Sequence, residues 1–321
     1  MHDEKLPVFG TVKLALLWGV FVVRRHWLII LIFALPLVAI SFAERVVVEQ
    51  EQVASWHFGL LSLAQWVLLS LLSIVLALVT HNEVLRGPAG LNVQTLGWGA
   101  GRVVGYAVDS LVLMLFGALV IFPLIFAVMG VTSLLRQFAP PLAPDALIIL
   151  LILGAWLAAV FVSLRLMLRL PSRALGQPIK WREAWRLGRG NSVRLLGIHA
   201  ILFFAMVATA VVVMAIQYLA SMLGFADLDG ETLTVQSRVP IQGQWSFIAN
   251  ATVSLAGGSI FSVWTAVFAL LGNVLILAEL VFFFALWSLV YAELERIQDA
   301  RTPQTVGSRF YFDPNEPPED F

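Results

Sequence analysis

The chain contains no cysteine. That absence excludes disulfides, thiolate metal sites, iron–sulfur clusters, covalently attached haem and thiol catalysis together. Charge is scarce too: Asp, Glu, Lys and Arg make up 12% of the 321 residues, against about 25% in an ordinary soluble domain. Twenty basic residues balance twenty acidic ones, so no bulk field favours nucleic acid or acidic partners. Catalytic signatures are also missing. There is no Gly-x-Ser-x-Gly, no Walker phosphate loop and no Gly-x-Gly-x-x-Gly, and no setting typical of intramembrane proteolysis. The histidines His26, His57, His81 and His199 share no ligand-like spacing, so neither metal nor haem is expected. We read a non-enzyme without a cofactor.

What the chain has in excess is apolar sequence, 60% hydrophobic residues with a mean hydropathy of +0.90. Apolar runs exceed the roughly 18 residues that suggest a membrane span. The expected fold is an all-α membrane protein of six transmembrane helices at about 27–43, 59–80, 103–130, 146–170, 195–223 and 259–291, forming one domain over residues 1–301. The sixth run is too long for a straight span and must tilt, break or extend beyond the membrane. One long connector, Gly224–Gly258, carries Asp227, Asp229, Glu231 and Arg238. Residues 302–321, with Pro303, Pro314, Pro317 and Pro318 among acids, read as a polar, disordered tail. The start, Met1 to Lys5, lacks the positive region of a secretory signal, so the first run reads as an uncleaved anchor.

Basic residues near span ends set orientation, whereas acids count little. With a cytoplasmic N-terminus, one side receives only Arg45, Arg136 and Arg238, and the other receives all remaining Lys and Arg. Both termini are therefore expected in the cytoplasm.

Three basic, aromatic segments precede spans one, three and five: Pro7–Val23 leading into Arg24-Arg25-His26-Trp27, then Arg86–Arg102, then Arg173–Arg189. The last two share a constant offset, pairing Arg86 with Arg173, Trp98 with Trp185, Gly101 with Gly188 and Arg102 with Arg189. This suggests three arm-plus-hairpin repeats. In the third arm Trp181 and Trp185 are four apart and share a helix face, with Arg182, Arg186 and Arg189 on the next. Such a helix suits the headgroup layer, and Lys180, Trp181, Arg182, Trp185, Arg186 and Arg189 become candidates for binding anionic phospholipid headgroups. Pro178 suits the helix start and Gly190-Asn191 its end.

The stretches Arg169-Leu170-Pro171-Ser172-Arg173-Ala174, Glu183-Ala184-Trp185-Arg186-Leu187, Arg189-Gly190-Asn191 and Arg194-Leu195-Leu196 resemble the central signature of a bacterial six-span family. Its typical member is the membrane domain attached to some glycerophosphoryl diester phosphodiesterases. The resemblance implies a six-span fold in the bacterial inner membrane, and no catalytic residue. The phosphodiesterase barrel itself has no counterpart in this chain, which lacks any His-Arg-Gly.

Charges in hydrocarbon cost at least about 2.5–3.5 kcal/mol on insertion scales. Asp109 lies roughly 9 Å below the membrane surface at helical rise, and Arg165, six residues before Pro171, reaches a similar depth on the neighbouring span. A hairpin ion pair between them is expected. Glu279 lies near the midplane, and is expected to be neutral and hydrogen-bonded to amides of the Asn273 kind on other spans, or in contact with a watery cavity. The function expected is to bind or organise lipids or partner proteins, with a homo-oligomer among the partners considered. The alternative is a small transporter or channel using Glu279 and Asp109. A C-terminal reporter should be active in the cytoplasm; activity only outside overturns the topology.

Overall fold

The computed structural model describes residues 5–49, 55–87, 100–138, 154, 157, 159–222 and 263–301. The named elements among them are helices: α1 (Val8–Arg25), α2 (Trp27–Glu49), α3 (Ser55–Arg86), α4 (Ala100–Phe138), α5 (Arg169–Ala174), α6 (Trp181–Leu187), α7 (Ser192–Met222) and α8 (Val263–Arg301). Four stretches are long and apolar enough to cross a membrane: Leu60–Arg86, Gly101–Val120, Ser192–Thr209 and Ala269–Asp299. The pair α1 and α2, bent by 78° at its junction, makes a fifth when taken as one broken span. The protein is all-helical among the described residues, with helices that fit a multi-pass membrane protein. The connector 224–258, the tail 302–321, residues 88–99 of the second arm and, in the expected fourth span, residues 146–153, 155, 156 and 158 lie outside the described residues.

The core forms around α8. Residues 284–294 are all buried, and a helix enclosed on every side is free to be apolar all round. Helices α1, α2 and α3 pack on it. The 39-residue helix is roughly 58 Å long at 1.5 Å per residue and runs unbroken, so it outruns a hydrocarbon layer of about 30 Å. Its charged last turns, beginning at Glu293, supply the extension.

Outer faces tell the complementary story. On α4, Val104, Val108, Leu111, Leu115 and Leu119 are all exposed, at three- and four-residue spacing that lines one side of the helix. A stripe of that length belongs against acyl chains rather than water.

The N-terminal arm packs into the bundle. Its Thr11, Ala15, Trp18, Gly19 and Val22 are buried, and α1 docks on α8. Two features explain this: an apolar face of 3.6 periodicity, and a glycine where the helices come closest. A Cβ on Gly19 would stand 2.1 Å from Phe282 Cδ1, so only glycine admits that ring. The chain before α1 is tied to α7, because Leu6 N–H donates to Asn191 Oδ1 at 3.2 Å and Arg194 Nη1 donates to the Leu6 carbonyl at 2.6 Å.

Gly19→Leu should therefore overpack this contact and cost about 1–3 kcal/mol. The check is thermal unfolding of the full-length protein in detergent, in which Phe282→Ala in the same chain should restore part of the loss.

Candidate functional site

Polar groups concentrate where α3 ends and α4 begins. Thr80, His81, Asn82 and Glu83 are consecutive, and none is more than 2% exposed. At 100° per residue they point around the whole helix, so every direction is enclosed. His81 Nδ1 lies 2.7 Å from Ser288 Oγ, and Nε2 lies 3.1 Å from the Tyr106 hydroxyl. Ser288 also donates to the Phe284 carbonyl at 2.9 Å. The imidazole thus joins α3 to α8 and α4 through its two ring nitrogens, an interhelical lock.

Glu83 faces the α1–α2 junction. Its Oε1 accepts from His26 Nε2 at 3.0 Å and sits 3.4 Å from Arg25 Nε. The 78° bend thus falls where a buried carboxylate holds both residues at the junction.

Asp109, 3% exposed, has different partners from those expected. Arg173 Nε donates to its Oδ2 at 2.7 Å. Arg169 Nε lies 3.0 Å from the same oxygen but off the hydrogen-bond axis, so it contributes charge without a directed bond. Arg165 is not in the pair. The helix containing it stops at the Met167-Leu168 turn, before α5 starts, and Pro171 fits the first turn of α5, where its missing N–H costs nothing. Arg169 and Arg173, four apart on α5, consequently share the face that meets Asp109. Arg165 lies before the turn and goes elsewhere: it bonds Ser192 Oγ and stacks over Phe161 at 4.7 Å and Trp185 at 4.4 Å.

Helix α6 is built as a docked arm. Glu183 accepts the Lys180 backbone N–H at 2.9 Å, capping the first turn, and Gly190 turns the chain away with φ +88°, a conformation that favours glycine. Ala184 and Leu187 are buried. The two tryptophans do not point freely to an acyl boundary: Trp181 lies under Arg169 at 4.6 Å and Trp185 under Arg165. Cation–π stacking of this kind is worth roughly 0.5–2 kcal/mol. Lys180, Arg182, Arg186 and Arg189 are left exposed.

Glu279 is 7% exposed, and neither carboxyl oxygen has a hydrogen-bond partner among the described residues. Asn273 offers no help, because its amide donates to Ala269 of its own helix at 2.8 Å. Among the described residues, no group of three or more His, Asp and Glu could hold a metal ion. No family model, curated protein or solved structure matches the chain.

Sequence reasoning brought out Asp109, Arg165 and the α6 arginines, but neither the His81 contacts to Tyr106 and Ser288 nor the seating of Arg25 and His26 on Glu83. The signal was there in Thr80-His81-Asn82-Glu83, four polar residues in a row closing an apolar helix. In a double-mutant cycle, Asp109→Asn and Arg173→Gln should couple by about 1–3 kcal/mol, whereas Asp109→Asn and Arg165→Gln should be additive. Unfolding of the three single and two double variants in detergent, beside the unmodified protein, measures both.

Proposed function

We propose that this chain is a non-catalytic protein of the bacterial inner membrane that binds and organises anionic phospholipids. In this reading it has six spans, both termini in the cytoplasm and three arm-plus-hairpin units, and it belongs with the membrane domains it resembles. The observation that carries the reading is α6: its tryptophans are committed to Arg165 and Arg169, and its remaining cations are turned outward. Guanidinium groups displayed beside lipid-exposed helices match phosphodiester headgroups in charge and fork geometry. Each cation near an anionic surface contributes about 1 kcal/mol. Protein partners, including a second copy of the chain, would then be recruited through that lipid-coated edge.

Replacing Arg182, Arg186 and Arg189 together by Gln should leave the fold intact and sharply reduce co-purifying anionic phospholipid, read by native mass spectrometry. Unchanged retention sinks the proposal.

One observation favours a second reading, a small transporter or channel. A buried carboxyl with no hydrogen-bond partner among the described residues, as at Glu279, is what a polar pathway uses. Glu279→Gln should then abolish a pH-dependent flux in proteoliposomes without altering unfolding. If Glu279 serves only the fold, flux is absent from the unmodified protein too.

A further inference from the structure

The loop between α5 and α6 is clamped by arginines. Arg86 Nη2 donates to the Leu175 carbonyl at 2.8 Å, and Arg169 Nη1 donates to the Ile179 carbonyl. Arg173 crosses α4 at Gly105, where a Cβ would lie 3.2 Å from its guanidinium, and ends on Asp109. Each of these three has a named acceptor. Arg102 does not. Its guanidinium lies flat against Gly176, where a Cβ would meet Nε at 2.7 Å and Nη2 at 2.8 Å, and its Nη1 is sealed from solvent with no acceptor among the described residues.

Two independent features converge on that group. The first is an orphaned charged donor: a buried N–H left unpaired costs about 1–3 kcal/mol, and more when charged. The second is the charge balance around it. Arg86, Arg102, Arg169 and Arg173 all converge on α5 and the loop after it, and among the described residues Asp109 is the carboxylate paired there, by Arg169 and Arg173, while Glu83 is engaged by Arg25 and His26. Residues 174–180 contain no acid. Gly176, with φ +79°, makes room for the guanidinium: any side chain there would strain the turn and collide with it.

We infer that Arg102 and the Gly176 turn form a seat for one phosphate group, carried by a lipid or free. A planar guanidinium with unspent N–H groups offers a two-pronged contact to phosphate oxygens, and the surrounding excess of positive charge supplies the counterion demand. The seat lies inside the α4–α5 contact and uses none of the α6 cations, so it stands or falls apart from the proposed lipid binding at α6.

The test uses the full-length protein in uncharged detergent, titrated with inorganic phosphate against sodium chloride at equal ionic strength and followed by thermal unfolding. Phosphate should raise the melting temperature of the unmodified protein. Arg102→Gln should weaken the response at least about tenfold in concentration, the scale of one lost charge-assisted contact. Arg102→Lys, which keeps the charge but not the fork, should weaken it less, and it serves alone if the Gln variant does not accumulate. The triple Gln variant of Arg182, Arg186 and Arg189 should respond like the unmodified protein. Repeating the titration in nanodiscs separates the sources. If phosphatidylglycerol discs abolish the response that phosphatidylcholine discs preserve, the seat takes a lipid phosphate; a response in both means free phosphate. No phosphate-specific shift in detergent, or equal responses with and without the Arg102 guanidinium, overturns the inference.

Discussion

The carboxylate of Asp109 meets two guanidinium groups at once, and this end of the bundle is arranged around that contact. A charge 3% exposed survives only if opposite charge reaches it. Reaching it requires Arg169 and Arg173 on one short helix face, which requires the turn at Met167-Leu168 to set α5 off from the preceding helix. With α5 fixed, the loop that follows falls within reach of Arg86 and Arg102. Helix α6 can then lay its tryptophans under Arg165 and Arg169.

The apolar part of the bundle obeys a different constraint. In a bilayer, burying a hydrocarbon side chain against another helix gains little over leaving it in lipid, so close packing and internal polar contacts decide which helices touch. Helix α8 shows both. Gly19 admits Phe282, and Ser288 is joined through His81 to Tyr106, so three helices are linked by one imidazole. The exposed stripe on α4 makes no such contacts and is free to face acyl chains.

Much of this was legible in the residues. Apolar length marked the helices at α3, α4, α7 and α8, because a span must be long and nearly uncharged. Pro178, Glu183 and Gly190 marked the ends of α6, because capping and positive φ are local demands. Asp109 stood out as a charge needing a partner, yet the partner was misjudged. Counting depth along a straight helix places Arg165 opposite it, and a turn two residues beyond Arg165 changes which arginines face α4. Likewise, the composition of α1 marks an apolar arm ending in basic residues, and its docking on α8 becomes apparent only when the two helices are placed together.

The sequence by itself determined the solvent: with 60% hydrophobic residues and 12% charged, the helices belong in lipid, and the sorting of basic residues implies an orientation. Those are sums over many residues, insensitive to any one contact. Tertiary structure alone decided which charges meet, that Trp181 and Trp185 serve Arg169 and Arg165, and that Arg102 Nη1 has no acceptor among the described residues. Such outcomes turn on distances of a few ångströms between residues far apart in the chain, and no local pattern encodes them.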